Sequence, residues 1–94
     1  MPFPQQNAGP FNKQTVESLA PNQMGCYGLW KAGAWVYIGK GDIRQRLLAH
    51  LNGDNPCIVR ERPTYFYTVV TRDYDAEEKR LILEFRPLCN EKVG

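Results

Sequence analysis

Apolar and polar positions along the chain mark out most of its elements. The runs "CYGLWK" and "AWVYIG" are rich in aromatic and β-branched residues and flank Ala32-Gly33, a turn signal. Together they predict two strands joined as a hairpin. The period then changes: in "IRQRLLAHL", Ile43, Leu47 and Leu51 recur at helical spacing, with Asp42 placed as the N-cap. "TYFYTVVT" predicts a third strand. A second helix follows, capped by Asp73 or Asp75 and ended by Pro87, with Asp75 and Glu78 at the spacing of a capping box. Between these elements, residues 53–63 carry Pro56 and Pro63 and are expected to be a loop. Upstream, residues 1–10 are rich in Pro, Gly, Gln and Asn and read as a flexible arm. Asn12 then caps a short helix over "KQTVESLA", with Val16 and Leu19 inward, before Pro21-Asn22 breaks it. The predicted organisation is an arm with a short helix over 1–21 and a folded domain over 22–94. Its order of strand, strand, helix, strand, helix gives a small α/β layer in which helices cover a three-stranded sheet.

Length and composition narrow this picture. Ninety-four residues suffice for one domain with a single modest core. The net charge of +2 is milder than that of a dedicated nucleic-acid binder, but it is unevenly distributed. Between Lys40 and Arg62 five Lys/Arg stand against three acids, whereas between Asp73 and Glu84 five acids stand against two bases, so a basic stretch is set against an acidic helix. Cys26, Cys57 and Cys89 are odd in number, far apart and form no CxxC, so they read as small buried hydrophobes in a reducing compartment. Neither a disulfide framework nor a zinc site is expected. No apolar run reaches membrane-spanning length and the start lacks a signal-peptide pattern, which predicts a soluble intracellular protein with no membrane partner.

Several polar residues do not fit a bland core. On a helical wheel of ~100° per residue, Glu78 falls between Leu81 and Ile82 and beside Phe85, at the centre of an apolar stripe. A carboxylate there is costly unless it is paired or binds a metal, or unless it belongs to the first turn as a cap. Arg46 and His50 are four apart and lie at the border of the Ile43/Leu47/Leu51 stripe, leaning toward the sheet. Tyr27 and Tyr37 stand in adjacent strands as near neighbours, and Lys40 follows the second of them closely. A carboxylate, two phenols, a guanidinium, an ammonium and an imidazole converging on one sheet face are the equipment for hydrolysing a phosphodiester. The carboxylate holds a hard divalent cation, the cations neutralise phosphate oxygens, and a phenol or imidazole activates water.

These residues carry a resemblance. Gly25-Cys26-Tyr27, followed ten residues on by Tyr37-Ile38-Gly39, resembles the paired signature of the GIY-YIG endonuclease family, with Cys26 in place of the usual Ile. The similarity continues through "YIGKGDIRQRLLAHL" and "EKRLILEFRPLCN", spanning Gly25 to Asn90 in matching order. It implies a three-stranded antiparallel sheet flanked by helices and a metal-dependent DNA endonuclease. By the same resemblance Glu78 is the single metal-binding carboxylate, holding one Mg²⁺ or Mn²⁺ ion. Tyr27 is the general base, Tyr37 orients the water or the scissile phosphate, Arg46 clamps the phosphate with Lys40 assisting, and His50 lies near the scissile bond. Asn90 holds the site together from the C-terminal side. Arg44, Arg60 and Arg62 join Lys40 as expected substrate contacts. The Cys26 side chain should point away from Tyr27, where a small apolar group is tolerated. With so few cations, non-specific DNA affinity is expected on the order of 10⁻⁴ to 10⁻⁶ M. Target choice would then rest on DNA shape, a partner protein or a homodimer, or there would be none. The alternative reading is a non-catalytic nucleic-acid-binding module with the same fold, which would be indifferent to metal.

Overall fold

The computed structural model describes residues 7–90. Its elements are β1 (Asn7–Pro10), α1 (Lys13–Glu17), β2 (Met24–Lys31), β3 (Ala34–Asp42), α2 (Ile43–Leu51), α3 (Pro56–Glu61), β4 (Tyr65–Val70) and α4 (Tyr74–Phe85). The sheet is antiparallel, as expected, but has four strands in the order β1-β4-β2-β3 rather than three. The additional strand is β1, from the segment expected to be a flexible arm. Gly9 lies opposite Phe66 in its pairing with β4. Backbone hydrogen bonds to an existing edge are sequence-independent, so a Gly- and Pro-containing segment can join one without strand propensity of its own. The rest of that expected arm, residues 1–6, lies outside the described residues.

Other predicted boundaries hold or fail for local reasons. The β2–β3 hairpin turns at Ala32 and Gly33, with φ of 21° and 83°, the positive angles a two-residue hairpin loop requires. Asn12 and Asp42 cap α1 and α2 as expected, accepting from the backbone N–H of Thr15 and Gln45. The Asp75–Glu78 capping box does not form. Asp73 takes the N-cap position without a side-chain bond, which leaves Asp75 inside the helix. Residues 53–63 are not wholly loop either: Asn55 caps α3 by accepting from Cys57 and Ile58, and Pro56 sits in the first turn, where a missing N–H costs nothing.

The sheet separates two cores. On one face Tyr27, Leu29, Val36 and Phe66 pack with Val16, Ile43, Leu47 and Ile58 of α1, α2 and α3. On the other, Cys26, Ile38 and Val69 pack against Leu81 of α4, with Trp35, Tyr67 and Phe85 around them. Cys26 therefore does face away from Tyr27, and burial pushes its thiol up to about 12, so it is inert. The other two cysteines overturn the expectation of three unpaired thiols: Cys57 and Cys89 form a disulfide, their Cα atoms 5.7 Å apart. Folding brings α3 beside the segment after Pro87, a proximity that 32 residues of separation along the chain conceal.

Candidate active site

The hairpin positions both tyrosines, and a defect in its ladder aims the second. Leu29 lies opposite Tyr37 and Trp30 opposite Trp35, so Val36 is an extra residue on β3. This β-bulge breaks the strict alternation of side chains. Trp35 and Ile38 consequently pack toward α4, while Val36 and Tyr37 both turn toward the α2 side. Tyr37 thereby meets Tyr27, with ring centroids 6.2 Å apart. Tyr27 lies opposite Gly39, and a Cβ at Gly39 would overlap the Tyr27 hydroxyl. The glycine of the YIG triplet is the gap through which the Tyr27 phenol reaches α2. Gly25, before Cys26, has a similar duty: a Cβ there would collide with the carbonyl oxygen of Val69.

The phenol meets His50. The Tyr27 hydroxyl and His50 Nε2 are 2.7 Å apart, and His50 Nδ1 lies 2.8 Å from Asp54 Oδ1. Arg46, one turn before His50, places Nη2 3.4 Å from Asp54 Oδ2. Tyr27 and His50 are almost fully buried, 1% and 3% exposed. Burial raises the pKa of Tyr27, with Tyr37 adding to the effect and Arg46 opposing it. Burial lowers that of His50 against the pull of Asp54. Both groups are therefore neutral near pH 7. Asp54 is the residue that sequence reasoning missed. Its signal was present in "HLNGD": an acid four residues after the histidine, across a glycine that adopts φ 85° and reverses the chain.

Glu78 and Lys40 sit across β3. Lys40 Nζ donates to Asp75 Oδ1 and lies 3.7 Å from Glu78 Oε1, so two carboxylates on successive turns of α4 share one ammonium. The Glu78 side chain is 22% exposed, and burial raises its pKa while Lys40 opposes. Glu78 is thus directed inward, as its place on the apolar stripe predicted. Tyr37 links the two groups, because Glu78 is the second cause, after burial, of its raised pKa. The expected convergence on a single sheet face is corrected accordingly. Tyr27, Tyr37, Arg46 and His50 approach from the α2 side and Lys40 and Glu78 from the α4 side, meeting around β3. Strand alternation requires this: Gly39 faces Tyr27 and its neighbour Lys40 faces α4.

That edge is sealed by the C-terminal segment. Leu88 and Cys89 donate backbone N–H groups to Trp35 and Val36. The Asn90 carboxamide then accepts from Ile38 N–H at 2.7 Å and donates to Ile38 C=O at 3.0 Å. One side chain thus satisfies both backbone groups of the residue between Tyr37 and Gly39. The remaining expected contacts are peripheral. Arg60 engages Glu61 and the Cys57 sulfur, Arg62 is the left-handed C-cap of α3, and Arg44 is half-buried with an unpaired Nε.

The fold thus sets paired strand tyrosines and a half-buried helix carboxylate around one sheet edge. No family profile matches the sequence, and no curated protein does. Solved structures do. The GIY-YIG N-terminal endonuclease domain of UvrC from Thermotoga maritima, bound to its catalytic divalent cation magnesium, is 30% identical with a TM-score of 0.71 over 84% of this chain and 99% of its own. An asparagine-to-alanine variant of that domain, also bound to its catalytic divalent cation, is 28% identical with a TM-score of 0.72, covering 86% of this chain and all of its own. A tyrosine-to-phenylalanine variant bound to its catalytic divalent cation is 29% identical with a TM-score of 0.71, again covering 86% of this chain and all of its own. The chain belongs to the GIY-YIG endonuclease-domain family.

Proposed function

We propose that this protein is a metal-dependent DNA endonuclease that hydrolyses phosphodiester bonds by attack of water. The observation that carries this reading is the 2.7 Å contact between the Tyr27 hydroxyl and His50 Nε2, a buried phenol joined to a neutral imidazole. Burial keeps Tyr27 from standing as a phenolate, so it can take a proton from water only while passing its own to His50. Tyr37, between that pair and Glu78, orients the water or the scissile phosphate. Arg46, its side chain 42% exposed, clamps a phosphate oxygen and stabilises the charge that develops there. Lys40 assists from the other side of β3, and Arg44, Arg60 and Arg62 contact the DNA backbone farther out. Asn90 holds the β3 edge on which Tyr37 sits.

The residues present suit a hard divalent cation. Asp75 and Glu78 already share one positive charge, that of Lys40. Among the described residues no group of three His, Cys, Asp or Glu could hold a metal, so Glu78 would be the one protein carboxylate on the ion, with water completing its shell. Glu78 would hold Mg²⁺ or Mn²⁺, and the bound ion would supply Lewis-acid neutralisation of the phosphate. The test is cleavage of labelled duplex, single-stranded, flapped and four-way-branched DNA with and without Mg²⁺ or Mn²⁺, beside Glu78→Ala. Cutting that needs the metal and that the variant lacks is the expected result. A wild type that cuts nothing, yet binds DNA equally with and without metal, would replace this reading with the non-catalytic module.

A further inference from the structure

Both ring nitrogens of His50 are engaged, and Asp54, the partner of Nδ1, also accepts from Arg46. We infer that Asp54 is a positioning residue: its carboxylate fixes the tautomer of His50 and stabilises the imidazolium formed when Tyr27 passes on its proton. The inference rests on the nuclease reading above. A carboxylate only accepts hydrogen bonds, so the 2.8 Å contact from Asp54 Oδ1 places a proton on Nδ1 of the neutral ring. Nε2 then presents a lone pair to Tyr27, which becomes the donor across 2.7 Å. In the other tautomer an Nε2–H would face the phenol and no proton could move that way.

The step balances. The attacking water loses a proton to the Tyr27 oxygen as the Tyr27 O–H bond breaks and its proton moves to Nε2. The electron pair of the water oxygen forms the new bond to phosphorus, and the leaving oxygen departs with the pair of the broken bond. His50 becomes cationic beside the anionic Asp54, so no isolated charge is created in a buried place. The fold holds Asp54 for this. Gly53, at φ 85°, reverses the chain after α2, and the Asp54 N–H returns to the Ala49 carbonyl at 3.3 Å. Arg46 Nη2 holds the far carboxylate oxygen at 3.4 Å.

The groups around His50 are few. Tyr27 reaches it from β2, and Tyr37 from β3 with ring centroids 5.2 Å apart. Arg46 lies on its own helix and Asp54 on the loop after it. From α3, Glu61 is engaged by Lys31 and Arg60. From α1, Lys13 and Glu17 line a surface cavity together with Leu48, Leu51 and Asn52. Asp54 is thus the acidic group acting on the ring, and Arg46 is the basic one.

His50 is the sole histidine of the chain, so its ring can be followed by ¹⁵N NMR without assignment by mutation. The experiment compares the full chain with Asp54→Asn, which is isosteric, and with Asp54→Ala, all three checked for fold by circular dichroism. The wild type should hold the Nδ1–H tautomer. Both variants should lose that preference and titrate about one pH unit lower. In cleavage assays kcat should fall ~10²- to 10³-fold with KM within about threefold, and the acid limb of the pH profile should move to lower pH. An unchanged tautomer and titration in the variants overturns the positioning role. A loss confined to KM also overturns it, because that would place Asp54 in the service of Arg46 and the phosphate. A wild type that cuts no DNA sinks the nuclease reading and the proton-transfer role with it, while the NMR comparison still decides whether Asp54 holds His50.

Discussion

The two sides of β3 handle different problems. On the α2 side, Tyr27 and His50 are nearly dry, and burial keeps both neutral. On the α4 side, Lys40 and Glu78 are 41% and 22% exposed, and their charges face each other at 3.7 Å. A buried neutral pair can move a proton without first shedding a hydration shell. A partly exposed charged pair can exchange partners, because solvent compensates each state. In the proposed reaction the proton-transfer pair and Arg46 thus share one side of β3 and the metal-binding carboxylate lies on the other, with Tyr37 at the seam. The comparison also locates fragility: the dry side depends on close fit and the wet side on charge.

The sharpest way to break the dry side is Tyr27→Phe, which keeps the ring packing and removes only the hydroxyl. Cleavage should fall ~10²- to 10⁴-fold while divalent-cation binding, followed by calorimetry, stays as in the wild type. A rate within a few fold of the wild type would leave His50 without its proton donor and end the asymmetry. Gly39→Ala attacks the same side through fit. The added methyl overlaps the Tyr27 hydroxyl, so the ring must shift, and about 1–3 kcal/mol of stability should be lost in denaturant titration together with most of the activity.

Asn90→Ala tests the seam. It strips both backbone groups of Ile38 of their partner, which should cost about 1–3 kcal/mol and lower cleavage less than Tyr27→Phe does. Reduction of the disulfide one residue earlier should cost a further ~2–4 kcal/mol, seen as a lower Tm with reductant present.

The smallest effect on stability belongs to the wet side and has the opposite sign. The folded-state pKa of Glu78 is raised above its ordinary value, so the native chain binds a proton more readily than the unfolded one. Its contribution to stability is fully present below the unfolded value of 4.5 and is lost as pH rises through the folded value. Glu78→Gln should therefore melt higher than the wild type at pH 7, yet nearly match it below pH 4, while losing metal-dependent activity. A lower Tm at pH 7 would show that the Lys40 contact outweighs burial.

Much of this was legible in the chain. The hairpin, the caps at Asn12 and Asp42, the inward direction of Glu78 and the lean of His50 toward the sheet all follow from local rules of period, turn chemistry and capping. The misreadings have separate causes. Residues 7–10 became a strand because β4 offered an open edge, and residues 56–61 became a helix because one Asn could cap it. Asp75 failed to cap because Asp73, two residues earlier, took the position.

By itself the sequence determined which side chains lie on which face of α2 and α4, because that depends on periodicity within a few residues. It also supplied the inventory of phenols, imidazole, guanidinium and carboxylate that the family signature organises. Only the tertiary structure decided how the faces meet. The bulge at Val36 turned Tyr37 onto the Tyr27 side, and the missing Cβ of Gly39 let the Tyr27 phenol through to α2. The site wraps around β3, Asp54 lies beside His50, and Cys57 lies beside Cys89. Each of these pairings reflects where packing stops the chain, a balance struck across the whole core that no local window of sequence contains.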